Sequence, residues 1–218
     1  MMLVGNDGSS LRSRVFNVLE NAILEGEYKA GDSLCEIKIS QELGVSRTPV
    51  RESIMQLEHE GLVKNIPNKG AVVVGISKKD IEDIYAIRVR IEGLAARLSA
   101  ENIDEEELRA LETIVDLQEF SLEKLDIEQI WKLDSDFHKI IYDSSRNKPL
   151  CTTLSSYHNY IKRARDVSVK AQGRAEKSVA EHRAILEAIC KHNGELAEKL
   201  TAEHIYNAKE NLLRNVKL

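Results

Sequence analysis

The chain has 218 residues and carries 31 Lys plus Arg against 36 Asp plus Glu, for a net charge of −5. A hydrophobic share of 42% beside 31% charged residues supports a packed core and excludes a disordered chain. The mild acidity excludes a histone-like or polybasic protein, though not a local basic patch.

In chain order, the spacing of Leu11, Val15, Val18, Leu19 and Ala22 predicts a helix over Leu11–Leu24, ended by Gly26 and Gly31. A short helix follows over Glu36–Leu43, with Gly44 suited to a left-handed position at its end. A third helix runs from after Ser46 to about Glu60, where Gly61 stops it. Leu62–Ile66 and Ala71–Val74 read as two strands around the turn Pro67-Asn68-Lys69-Gly70. Near residue 77 the frequent glycines give way to long amphipathic stretches, which divides the chain into domains 1–76 and 77–218. Helices are expected near 78–101, 104–123, 126–145, 149–170, 174–192 and 194–215, with breaks at Asn102, Asp126, Asn147-Lys148-Pro149, Gly173 and Asn193-Gly194. The fold class is therefore mainly α, an N-terminal winged helix-turn-helix plus a C-terminal all-helical bundle. No segment approaches the ~20 apolar residues of a membrane helix, and the opening MMLVGNDGSS lacks the basic and apolar regions of a signal peptide. A cytoplasmic protein with no membrane partner is expected, and three scattered cysteines, Cys35, Cys151 and Cys190, fit reduced thiols there.

The sharpest short signal is LGVSRTPVRE, Leu43 to Glu52. Gly44 allows a tight turn, Ser46 or Thr48 caps the next helix, and Pro49 falls in its first turn, where a missing N–H costs little. Val50, Ile54 and Leu57 then face the protein. Arg47 and Arg51, four apart, both point from the amino end of this helix, the end a recognition helix presents to the major groove. Arginine there pairs with guanine or clamps phosphate. Arg12, Arg14 and Lys38 are further phosphate candidates, and Asn68 and Lys69 form the tip of a wing. Against this, residues 1–77 hold 8 Lys plus Arg and 10 Asp plus Glu, so binding must rest on a few placed cations and depend strongly on salt.

The segment GDSLCEIKISQELGVSRTPVRESIMQLEHEGLVKNIPNKGAVV, within Leu11–Val74, resembles the winged helix-turn-helix domain of GntR-type bacterial transcription regulators. The resemblance implies a homodimer on a double-stranded DNA operator with Arg47 and Arg51 as DNA contacts; Thr48, Lys38 and the wing residue Lys69 complete the expected contact set. This chain departs from the family pattern at Ala30, where proline is frequent, and at Ile37, where some members carry an arginine.

The second domain carries a subtler constellation. Asp134 and His138 are four apart in WKLDSDFHKII, on a stripe with Trp131, Ile141 and Tyr142. His182 shares a stripe with Ile185, Leu186 and Ile189, and His204 one with Leu200 and Ala208. Three imidazoles and one carboxylate thus face inward from three helices. A metal would partner the buried carboxylate and use neutral imidazoles as ligands; four N/O donors suit zinc, and also nickel, manganese or iron. Taken alone, the pattern favours separate hydrogen-bonded core or boundary histidines. Asp136, two residues from His138, falls off the stripe, and His59, His158 and His192 read as solvated or structural.

Residues 78–216 resemble the helical FCD domain of FadR-type GntR regulators through YAIRVRIEGLAA, LDSDFHKII, EHRAILEAI and His204. That resemblance implies a divalent metal ion on Asp134, His138, His182 and His204, and a small carboxylate effector to which Arg88 contributes. The function expected is a transcription regulator, commonly a repressor, and not an enzyme. The competing readings are a helical metal-dependent enzyme and a sensor of the metal itself.

Overall fold

The computed structural model describes residues 10–24, 26–74, 77–166 and 173–215, without side chains at 159, 160, 162–166 and 215. The chain divides into two units, Met1–Ser77 and Lys78–Leu218.

The first unit contains α1 (Leu11–Leu24), α2 (Glu36–Leu43), α3 (Arg47–His59), β1 (Val63–Ile66) and β2 (Gly70–Val73). Its core joins Val15 and Leu19 of α1, Ile39 and Leu43 of α2, and Val50, Ile54 and Leu57 of α3, all buried. Leu11, expected on the buried stripe of α1, is exposed because it begins the helix; Phe16 and Ile23 widen the apolar face instead. Gly44 takes the left-handed conformation at φ 66° and ends α2, so α3 can start a short turn later. The strands pair antiparallel, Val63 with Val73 and Ile66 with Gly70, around a turn in which Asn68 is also left-handed. Gly31 donates to the Val73 carbonyl at 2.8 Å and Leu34 to the Ala71 carbonyl at 2.8 Å, tying the wing to the segment before α2.

The second unit is a bundle of α4 (Lys78–Asn102), α5 (Glu105–Glu123), α6 (Ile127–Ser144), α7 (Lys148–Asp166), α8 (Arg174–Cys190) and α9 (Gly194–Asn215). The expected end of α7 near 170 lies outside the described residues. Asp104 caps α5 through a reciprocal pair with Glu107, as the acidic run there requires. Ala95, Ala96, Phe137, Ile141, Leu154, Ile185 and Ile189 meet in one core. Gly93 lets α4 lie directly on α9: a Cβ there would sit 2.9 Å from the Glu198 carbonyl oxygen. Among the described residues no helix is long and apolar enough to cross a membrane.

Candidate metal centre and nucleic-acid interface

In the first unit, α3 starts at Arg47 with Ser46 in the N-cap position, and the Ser46 side chain makes no capping bond. The first N–H groups of α3 therefore add their partial positive charge to that end. Arg47, Thr48 and Arg51 are exposed on it, while Pro49 and Val50 turn inward. The two guanidinium groups converge on one carboxylate. Glu36 Oε2 accepts from Arg47 Nη2 at 3.1 Å and from Arg51 Nη2 at 3.0 Å, and Oε1 accepts from Arg51 Nε at 3.0 Å. The Arg51 bond, with Arg47 assisting, holds the Glu36 carboxyl below its ordinary range. Lys38 is exposed with its Nζ 3.8 Å from Glu42, Lys69 is exposed at the wing turn, and Arg12 bonds Gln56 at 3.1 Å.

In the second unit, Asp134 and His138 come from α6, His182 from α8 and His204 from α9. All four are buried, and one ligand atom from each lies within 4.8 Å of the others. Asp136 is exposed, as its offset on the helix requires. Asp134 Oδ1 stands 3.6 Å from His182 Nε2 and 4.0 Å from His138 Nε2. Each imidazole has an acceptor near its other nitrogen. His204 Nδ1 meets Glu181 Oε2 at 2.7 Å, His182 Nδ1 meets Gln118 Oε1 at 2.9 Å, and His138 Nδ1 lies 3.3 Å from Glu92 Oε2. The Nε2 atoms of all three have no protein hydrogen-bond partner. His182 and His204, held at Nδ1 and open at Nε2, have the arrangement metal-ligating histidines use, while His138 lies beside Glu92 without a hydrogen bond at either nitrogen. Phe137 stacks on His182 at 4.1 Å and fixes its plane.

Burial pushes the His182 imidazole well below its ordinary pKa, with the neighbouring His204 adding to the shift. Burial likewise lowers His204, although its bond to Glu181 works the other way. Both rings are thus neutral and able to donate a lone pair near neutral pH. Burial alone would raise Glu181, but the His204 bond and Arg174 hold it down; Arg174 Nη1 is 3.0 Å from Glu181 Oε2. The donors, their charge state and their open atoms together fit a divalent first-row metal ion.

Sequence reasoning missed Glu92, Gln118 and Glu181, because no fixed spacing links an outer acceptor to the ring it holds. His158 is structural, not solvated: it is buried, its Nε2 lies 3.3 Å from Ser135 Oγ, and its ring centroid is 5.2 Å from that of His138. His59 is exposed, and His192 bonds the Ala100 carbonyl at 2.7 Å.

Arg88 has no exposed surface and pairs along α4 with Glu92, which is equally buried. Burial works against both charges, yet each partner overrides it, holding Arg88 above and Glu92 below the ordinary ranges. Arg88 uses Nε in this pair; its Nη1 and Nη2, and the hydroxyls of Tyr85 and Tyr142, have no protein partner. Such donors are buried only where something accepts from them. A shallow cleft lined by Trp131, Arg174, Ser178 and His204 among others opens beside the cluster.

A helix-turn-helix with a β-wing and a separate helical bundle around a buried His–Asp cluster define a class of two-part bacterial regulators. The chain belongs to that class: residues 11–73 match the bacterial regulatory proteins of the gntR family, and residues 83–207 match the FCD domain. It is a DNA-binding transcriptional regulator of the GntR family with an FCD domain. It is 32% identical over 198 residues to the HTH-type regulator YdhC of Bacillus subtilis (strain 168), covering 90% of this chain and 88% of that one. It is 25% identical over 207 residues to the HTH-type transcriptional repressor RspR of Escherichia coli (strain K12), covering 95% and 91%. Among solved structures, E. coli McbR/YncC matches with TM-score 0.75 at 23% identity, covering 94% of this chain and 98% of that chain. A metal-free FCD domain of another regulator matches with TM-score 0.53 at 21% identity, covering 64% and 96%.

Proposed function

We propose that the chain is a metal-containing repressor that senses a small organic acid. The observation that carries this reading is the buried His138–His182–His204–Asp134 set, with three Nε2 atoms open and the Nδ1 atoms of His182 and His204 held. Asp134, His138, His182 and His204 would hold one divalent ion, zinc foremost, with nickel, manganese and iron as the alternatives. A bound ion would supply a Lewis-acidic position able to accept a carboxylate oxygen.

The protein's own groups do the rest. Glu181 and Gln118 orient the His204 and His182 rings, and Glu92 stands beside His138. Arg88 offers two open Nη donors, and Tyr85 and Tyr142 offer hydroxyls, to an acid that enters the bundle. A cleft lined in part by His204 lies next to the centre. An acid bound there regulates DNA binding only if it favours one arrangement of the dimer over another. Arg47, Arg51, Thr48, Lys38 and Lys69 form the DNA contact set, doubled in a homodimer that reads a near-palindromic operator. A repressor role is supported by the likeness to RspR, and a cytoplasmic location by the function itself.

The test couples metal analysis with thermal melting. The purified chain should retain about one metal ion per protomer through dialysis, and acetate, lactate or citrate should raise its melting temperature without being consumed. Consumption of the acid would favour the enzyme reading. Operator release by chelator alone, with no response to any acid, would favour a sensor of the metal.

A further inference from the structure

We infer that Glu36 is a positioning residue for sequence reading: it presents Arg47 and Arg51 as one fixed fork that favours base edges over phosphates. The inference rests on the reading of those two arginines as DNA contacts.

Glu36 opens α2, and the arginines lie on the first two turns of α3, so a single carboxylate bridges both helices of the helix-turn-helix. It grips Arg51 side-on, taking Nε–H and one Nη2 hydrogen at 3.0 Å each, and takes one Nη2 hydrogen of Arg47 at 3.1 Å. What remains on Arg51 is the end-on edge, where one Nη1 hydrogen stands beside the second Nη2 hydrogen. That edge matches the O6 and N7 acceptors of guanine.

The arginine side chains are 54% and 57% exposed, so without a tether they would sample many rotamers and meet whichever phosphate lay nearest. Glu36, at 27%, is accessible enough to matter to an approaching duplex. Its negative charge opposes a docking mode in which the arginines sit among phosphates, and it leaves pairing with a base edge little affected. Residues 1–77 already hold fewer cations than anions, 8 against 10, so a carboxylate on the two reading arginines lowers non-specific affinity further. Selectivity is what it returns.

The experiment uses the full chain with its metal, titrated by fluorescence anisotropy over a salt series. The probes are a duplex enriched from random DNA and a scrambled duplex of equal length. Glu36→Gln keeps the shape and removes the charge. The scrambled duplex should then bind severalfold more tightly and the enriched duplex no more tightly, so the ratio of the two affinities falls by the same severalfold factor. Glu52→Gln, which removes an exposed charge from α3, should strengthen both complexes alike and keep the ratio. If Glu36→Gln also keeps the ratio, Glu36 acts as plain charge and the inference is overturned. If Arg47→Ala and Arg51→Ala leave both duplexes bound as before, the premise about the arginines fails instead.

Discussion

At the scale of single residues, the candidate metal centre combines side chains whose positions follow from helix periodicity with supports that do not. His138, His182 and His204 sit on apolar stripes, and that periodicity by itself turns them toward the interior. Their Nδ1 partners come from elsewhere. Gln118 is on α5, Glu92 is on α4, and Glu181 faces a ring on α9 and not its neighbour His182. Two substitutions separate these roles. His204→Ala removes a ligand and should release metal on dialysis while the first unit stays folded; full occupancy, measured by elemental analysis, would take His204 out of the centre. Glu181→Gln keeps a hydrogen-bond acceptor but removes the charge that makes the ring more basic, and should weaken metal binding roughly 10–100-fold in a chelator competition. On the other unit, Arg51→Ala should cost about 1–3 kcal/mol of operator affinity if the arginine pairs with a base, as read from binding isotherms.

At the scale of elements, helix boundaries are largely legible in the sequence because glycines and polar breaks punctuate the amphipathic runs. The order helix, helix, turn, helix, hairpin can be written from Gly26, Gly31, Gly44, Gly61 and the turn at Asn68. What cannot be read there is why Gly93 lies inside a 25-residue helix, where it lowers helix propensity. The structure supplies the cause in the close approach of α9, since a methyl group would sit 2.9 Å from a backbone oxygen that cannot swing aside. Gly93→Ala should therefore destabilise the helical unit by about 1–3 kcal/mol despite the better helix former. Denaturant unfolding followed by circular dichroism checks it. A stabilised variant would mean that α4 and α9 are not in backbone contact. Pairing of buried polar groups is equally hidden: Arg88 and Glu92 are four apart and individually ordinary, and only the bundle makes them a fully enclosed pair.

At the scale of the whole molecule, protonation of the buried imidazoles bears on stability and, in the proposed reading, on metal binding. His182 and His204 have folded pKa values below the ordinary 6.5, so the unfolded chain takes up protons first. Their contribution is complete above about pH 6.5 and is lost progressively as the pH falls below it. Melting temperature should drop from about pH 7 to about pH 5, and more steeply for the metal-loaded chain, because protons also compete for the ligand nitrogens. Equal slopes with and without chelator would argue against metal at these imidazoles.

The most direct measurement is a selection of bound fragments from random double-stranded DNA, run with the metal-loaded chain, with the chelated chain and with Arg51→Ala. The intact chain should enrich one near-palindromic sequence, chelation should alter the yield of that sequence, and Arg51→Ala should fail to enrich it. A pool that stays random at low ionic strength, or an enrichment indifferent to both Arg51 and the metal, would contradict a regulator that reads a duplex with one unit and holds its signal around a metal in the other.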